Sequence, residues 1–253
     1  MLDLKGHHAV VTGGGSGIGA AIARALAGAG AKLTIMGRRR EALEAFAASL
    51  PDTNIVPVDV TDEQAVESAM SLARRAAPIS ILVNNAGAAE TAPLVKTPTA
   101  LWDRMLAVNL TGTFLCTRAA LQDVMGHPNG RIVNIASTSG LKGYAYTGAY
   151  TAAKHGVIGL TRTLALELAT TGATANAVCP GFADTDLVDR SLANVVSKTG
   201  LTRETALAQF VRDNPQGRLI LPNEVAATVL WLCDPLAQSI NGQAIALAGG
   251  EVM

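Results

Sequence analysis

Short runs of β-branched and other apolar residues alternate along the chain with longer alanine- and leucine-rich segments whose apolar positions recur every three or four residues. This alternation predicts βαβ units around a parallel sheet. Strands are predicted over 8–12, 33–36, 55–58, 79–84, 131–135, 175–178 and 243–247, and helices over 17–29, 41–50, 63–76, 100–125, 149–170 and 224–233. Thr61 or Asp62 can cap the third helix, and Asn223 with Glu224 the last. The expected fold is α/β: a single Rossmann-type, doubly wound domain over 1–253 with a mostly parallel seven-stranded sheet. The stretch 181–221 breaks the alternation with two short helical pieces, over 187–196 and 202–211. An insertion after a strand's carboxyl end overhangs the ligand crevice, so it is read as a substrate lid.

Composition narrows the function. The 253 residues contain no internal repeat, low-complexity tract or Pro/Gly/Ser-rich linker that would divide them. Lys plus Arg and Asp plus Glu are balanced at 20 each, which leaves no one-signed surface for nucleic acid or an anionic membrane. Cys116, Cys179 and Cys233 form no Cys-x-x-Cys pair and read as reduced core thiols. His7, His8, His127 and His155 lack metal-ligand spacing, so no metal is expected. The first residues run directly into a strand without a signal-peptide core, and no uncharged apolar run approaches the ~20 residues of a membrane span. A cytoplasmic enzyme is the expectation.

The first strand opens into Thr12-Gly13-Gly14-Gly15-Ser16-Gly17-Ile18-Gly19, and a helix follows at once. Glycines there allow a tight turn and let backbone approach a pyrophosphate at a helix N-terminus. Two registers fit: Gly15, Gly17 and Ala20 as G-x-G-x-x-A, or Gly13, Gly17 and Gly19 as T-G-x-x-x-G-x-G. The second strand ends in Gly37-Arg38-Arg39-Arg40, without the acid that accepts hydrogen bonds from an adenosine ribose in NAD-selective sites. Arg38, assisted by Arg39, offers forked donors to a 2′-phosphate, so NADP(H) is preferred and NAD(H) is the second choice.

Tyr150 and Lys154 lie four apart on the fifth predicted helix, on one face and about 6 Å apart along the axis. A tyrosine of pKa about 10 is a poor base near neutrality, and a neighbouring ammonium favours its phenolate. Bringing it to neutrality takes roughly 4 kcal/mol of differential stabilisation, which the lysine and an oxidised nicotinamide would share.

Taken in order, Thr12 to Gly19, Asp59-Val60, Asn84-Asn85-Ala86-Gly87, Asn109, Ser137, Tyr150 with Lys154, and Pro180-Gly181 followed by Thr185 give a set of separated motifs. On these the chain resembles the compact single-domain branch of the short-chain dehydrogenase/reductase family over nearly all its length. The resemblance implies a tetrad of Asn109, Ser137, Tyr150 and Lys154. Tyr150 would give its proton to a carbonyl oxygen as hydride arrives, and Ser137 would hydrogen-bond that oxygen. Lys154 would hold the nicotinamide ribose and depress the tyrosine, while Asn109 would help hold a water joining Lys154 to solvent. It implies cofactor contacts from Asp59 and Val60 at the adenine, from Asn85, Ala86 and Gly87 along the cofactor wall, and from Pro180, Gly181 and Thr185 at the nicotinamide end. Ser16 stands where some NADP-preferring relatives carry a positive charge.

The substrate is expected to be a small carbonyl compound or alcohol. Resemblance to 3-oxoacyl-thioester reductases puts a 3-oxoacyl or 3-hydroxyacyl thioester first, with Arg190, Lys198, Arg203 and Arg212 available to coenzyme A phosphates. Cyclic or steroid-like alcohols come second. Leu141, Tyr144, Phe182, Leu187 and Phe210 are candidates for an apolar pocket. Relatives imply a homotetramer built through 100–125, 149–170 and 244–253. A noncatalytic nucleotide sensor and an extended-branch epimerase or dehydratase are the rival classes; the intact tetrad opposes the first and the absence of a separate substrate domain the second.

Overall fold

The computed structural model describes residues 2–50 and 52–253, without the side chains at 186, 187, 190, 194 and 198. Seven strands form one sheet: β1 (His8–Thr12), β2 (Lys32–Gly37), β3 (Thr53–Pro57), β4 (Ile81–Asn84), β5 (Arg131–Ile135), β6 (Thr174–Pro180) and β7 (Ala244–Leu247). Their order is β3-β2-β1-β4-β5-β6-β7. All six pairings are parallel, so the sheet has no antiparallel member among the described residues. Chain order reverses between β1 and β4, and the loop leaving β1 opens at that switch point, where sheets of this kind bind ligands.

Alternation along the strands divides the core into two layers. Ala9, Val11, Ile81, Val83, Val133 and Val178 pack with α1 (Gly17–Gly28), α2 (Arg40–Ala47) and α9 (Pro222–Cys233). Val10, Leu82, Ile132 and Ala175 face the other way, onto α3 (Glu63–Arg74), α5 (Gly112–Met125) and α6 (Gly148–Leu168). Ile22 on α1 is fully buried in the first layer, where truncation to alanine costs about 2–5 kcal/mol. The three cysteines are buried free thiols.

The helix read over 100–125 is interrupted. It comprises α4 (Thr99–Leu106), a π-helical turn at Ala107–Thr111, and α5. Asp62 caps α3 by accepting from the Ala65 N–H at 3.0 Å, whereas Thr61 bonds back to Asp59. The expected cap at Asn223 gives way to Leu221: Pro222 begins α9, and Glu224 accepts from the Leu221 N–H at 2.7 Å. Between β6 and α9 lie α7 (Asp186–Thr199) and α8 (Arg203–Val211). The two ends of this insertion are tied together, with Ile220 N–H donating to Phe182 O and Asp184 N–H to Ile220 O, each at 2.9 Å. No helix among the described residues is long and apolar enough to cross a membrane.

Candidate active site

The glycine loop adopts the T-G-x-x-x-G-x-G register. Gly13 and Gly17 take φ of +65° and +53°, values that favour glycine, and a Cβ on Gly19 would stand 2.2 Å from Gly13 O. Gly15 needs no unusual φ and lies against α2, 3.2 Å from Ala42 O as a Cβ would be. Ser16 is the exposed N-cap of α1 and Ile18 packs inward, so the helix begins with its amides at the surface beside the loop. A cradle that a Cβ would fill, at an exposed helix head, fits a dinucleotide pyrophosphate.

Asn85 holds that cradle in place. Its side-chain amide donates to Thr12 O at 3.0 Å and Gly13 O at 3.2 Å, while the Asn85 and Ala86 N–H groups both donate to Thr12 Oγ1 at 3.0 Å. Asn85 and Ala86 therefore brace the loop of β1 from the end of β4. Thr12, which sequence reasoning passed over as the loop's first letter, is the acceptor that unites them.

Where the adenine is expected, Arg38 and Arg39 are exposed just past β2, and Arg40 is occupied by Glu44 at 3.6 Å. Burial raises the Asp59 pKa, but Thr61, donating from both backbone and hydroxyl, and the nearby charge of Arg38 together bring it below the ordinary carboxylate value. Val60 turns inward: a Cβ on Gly112 would lie 2.7 Å from its side chain. Its side chain is therefore turned away from the surface at which the adenine contact is expected.

The tetrad residues converge beyond the ends of β4 and β5. Ser137 follows β5, accepts from Ser139 N–H at 3.1 Å, and stands close to the buried hydroxyl of Tyr150, a residue that is itself half-buried. Lys154 is buried one helical turn beyond Tyr150, with Nζ 5.6 Å from the phenol ring centre and donating to Ile135 O at 2.8 Å. Below it, Asn84 Nδ2 donates to Asn134 Oδ1 and Asn134 Nδ2 to Thr161 Oγ1, both at 2.9 Å, so β4, β5 and α6 are pinned under the site. Asn109, 1% exposed, sits on the π-helical turn and bonds Ala88 in both directions; a Cβ on Gly87 would lie 2.8 Å from its Oδ1 and 3.8 Å from Lys154 Nζ.

Burial pushes the Tyr150 hydroxyl above its ordinary pKa, with Ser137 only partly opposing it, so the protein by itself does not depress the phenol that Lys154 and an oxidised nicotinamide together are expected to depress. The Lys154 ammonium is directed at a carbonyl oxygen instead, and burial lowers its own pKa to about 8. Cys179, read only as a core thiol, is in fact a neighbour of the site. Burial lifts its pKa to about 11, opposed by a hydrogen bond with the Ser137 backbone and by the Lys154 charge. Its position directly before Pro180-Gly181 was the available signal.

The insertion after β6 begins against the glycine loop. Pro180 ends β6, Gly181 N–H donates to Leu247 O at 2.9 Å, and Thr185 starts α7 with its methyl 3.3 Å from where a Gly17 Cβ would be. Of the apolar candidates, Tyr144, Phe182 and Phe210 form an edge-to-face series with centroids 6.4 and 4.8 Å apart. Leu141 packs inward with Ala136 and Ile158 instead. The side chains of Leu187, Arg190 and Lys198 lie outside the described residues. Arg203 is paired with Asp189, and Arg212 with Asp213 at 3.1 Å, so neither presents an unopposed charge to coenzyme A phosphates. Tyr146 was not singled out as a strained position, yet it is exposed with φ +69°, its carbonyl accepting from Ala92 N–H at 2.9 Å.

The chain is similar to known proteins over nearly its whole length. Residues 7–195 match the short chain dehydrogenase family. The chain is 41% identical to cis-4-hydroxycyclohexanecarboxylate dehydrogenase of Sinomonas cyclohexanicum, over 96% of this chain and 95% of that one. It is 34% identical to the 3-oxoacyl-[acyl-carrier-protein] reductase FabG of Rickettsia bellii, over 100% of both. A crystal structure of an actinorhodin polyketide ketoreductase variant with NADPH superposes with a TM-score of 0.93 at 34% identity, covering 99% of each chain. Sequence, fold and site geometry thus agree that the chain belongs to the short-chain dehydrogenase family and is an oxidoreductase acting on CH–OH groups.

Proposed function

We propose that this enzyme uses NADP(H) to interconvert a ketone and a secondary alcohol, with Asn109, Ser137, Tyr150 and Lys154 as its working residues. The observation that carries the reading is the placement of buried Lys154, its Nζ 5.6 Å from the Tyr150 ring centre, on the helix whose Tyr150 phenol faces Ser137. When bound, the nicotinamide supplies or accepts the hydride. Tyr150 gives its proton to the carbonyl oxygen during reduction, and its raised pKa keeps that proton available at neutral pH. Ser137 turns its hydroxyl to the same oxygen. Lys154 spends one donor on Ile135 O and offers its other two toward the ribose hydroxyls. Asn109 acts at one remove, by fixing Ala88 and the wall formed by Asn85, Ala86 and Gly87.

Arg38 provides the preference for NADP, because its exposed guanidinium lies at the end of β2 where a ribose-binding acid would otherwise stand. Gly13, Gly15, Ser16, Gly17, Ile18 and Gly19 take the pyrophosphate, Asp59 with the Val60 backbone meets the adenine, and Pro180, Gly181 and Thr185 meet the nicotinamide end. Residues 181–221 form the lid of a single domain, their tied ends serving as its base. The half-exposed edge strand β7 and the exposed Phe114 on α5 and Leu166 on α6 support a homotetramer.

The substrate proposed first is a 3-oxoacyl or 3-hydroxyacyl thioester, supported by likeness to the Rickettsia reductase. A cyclic alcohol or ketone is the second reading, favoured by the Tyr144–Phe182–Phe210 series and the Sinomonas relative. A kinetic panel of acetoacetyl-CoA, a cyclic ketone and an aromatic ketone, each with NADPH and NADH, decides between them. Higher kcat/KM for the thioester with NADPH supports the first choice, and a preference for either ring compound reverses it. No nicotinamide oxidation with any ketone removes the reductase assignment.

A further inference from the structure

Glu251, two residues from the last position, carries a carboxylate whose side chain is only 3% exposed, although nothing in the tetrad uses it. Its Oε1 accepts from the Tyr144 hydroxyl and pairs with Lys142 Nζ at 3.0 Å. Its Oε2 lies 3.3 Å from where a Cβ on Gly181 would be. With its single proton given to Glu251, the Tyr144 hydroxyl accepts from Thr138 Oγ1 at 2.7 Å, and Thr138 adjoins Ser137, so the carboxylate links the segment after β5 to Gly181 at the end of β6. The tail is held there firmly: a Cβ on Gly249 would stand 2.1 Å from Asn214 Oδ1, and one on Gly250 3.3 Å from Pro215.

Lys142 is the exposed member, with 35% of its side chain open, and its ammonium lies 4.7 Å above the Tyr144 ring centre. Left alone, a lysine at that rim would be a receptor for a substrate carboxylate. Here its charge is already matched by a buried anion, which has no other cation beside it in this cluster. Drawing Lys142 toward a substrate anion would strand Glu251 in a dry setting, a costly exchange.

We propose that Glu251 is a specificity-determining residue that neutralises Lys142, so that the substrate wall formed by Tyr144 and Phe182 selects carbonyl compounds without a carboxylate near the reacting group. The inference rests on the ketone-reductase reading and adds to it the charge class of the substrate. Ethyl acetoacetate belongs to the favoured class and acetoacetate to the excluded one.

Glu251→Gln is the informative variant, because it keeps the size of the side chain and an acceptor for Tyr144 while removing the charge. The ratio of kcat/KM for ethyl acetoacetate over acetoacetate should fall roughly ten- to a hundredfold, the worth of one charge-assisted contact released to the substrate. The double variant Lys142→Met/Glu251→Gln should restore the wild-type ratio. Benzoate titrated by calorimetry provides a readout independent of turnover: it should bind E251Q at least tenfold more tightly than it binds the wild type or the double variant. If E251Q shows no native melting transition, Glu251→Ala takes its place, and its loss of the carboxylate should likewise tighten benzoate. Equal benzoate affinity in all variants overturns the inference even if both ketones are reduced. Absence of turnover with either ketone counts against the reductase reading alone, since the benzoate comparison still decides the role of Glu251.

Discussion

Asn109 and Ala88 are locked by a reciprocal pair of hydrogen bonds, Asn109 Nδ2 to Ala88 O at 2.9 Å and Ala88 N–H to Asn109 Oδ1 at 3.3 Å. The same Nδ2 donates to Met105 O at 3.0 Å, four residues back, where the helical ladder widens into its π-turn. The side chain thus closes the interrupted helix and fixes the loop after β4 in a single arrangement. Asn109→Leu, which keeps the volume but none of these bonds, should lower kcat by roughly ten- to a hundredfold, because small displacements of a positioned site carry penalties of that size. Steady-state kinetics with a thermal melt as control checks this; unchanged kcat with an unchanged melt contradicts it.

Lys154 illustrates function opposing stability. Its folded pKa of about 8 lies below the ordinary 10.5, so between those values the unfolded chain holds a proton that the folded chain has released. Stability from this group therefore rises as pH climbs from about 8 to 10.5, and at pH 7 the buried ammonium costs about 3 kcal/mol. Lys154→Met removes that cost but forfeits the bond to Ile135 O, worth about 1–2 kcal/mol. The variant should melt at or above the wild-type temperature at pH 7, lose the alkaline gain, and be inactive. Differential scanning calorimetry at pH 7 and pH 10 gives the comparison, and a variant several degrees less stable at pH 7 would speak against it.

Arg38→Asp restores a ribose-binding acid and removes the phosphate donor. NADPH affinity should fall by roughly ten- to a hundredfold while NADH affinity stays level or improves. Fluorescence titration with both cofactors measures this, and an unchanged ratio places the selectivity elsewhere.

Reaction direction should respond to pH through Tyr150. Because burial holds its proton more firmly, alcohol oxidation, which needs the phenolate, should accelerate as pH rises above neutrality, whereas carbonyl reduction should not. Paired pH profiles of kcat/KM test the sign. An oxidation rate that is highest in acid would assign the proton to another group.

Much of this was legible in the chain because periodicity and glycine spacing report backbone requirements directly. The strand at 131–135 and the cradle at Gly13, Gly17 and Gly19 were readable for that reason. The π-turn was not, since the apolar pattern runs through Ala107–Thr111 without a break and only the bonds of Asn109 reveal it. Glu251 was hidden because a lone acid near a terminus reads as solvated, and its partners lie more than a hundred positions away. The direction of the Tyr150 shift was likewise beyond reach: spacing places Lys154 nearby, but only coordinates show its ammonium turned to Ile135 O.

The central claim is that the Tyr150 hydroxyl supplies the proton that accompanies hydride transfer. Single-turnover oxidation of bound NADPH by a ketone in Tyr150→Phe tests it most directly, with cofactor affinity measured on the same preparation. The account predicts unchanged NADPH binding and a rate at least a hundredfold slower than wild type, the lower range of general acid catalysis. A rate within a few-fold of wild type would contradict it.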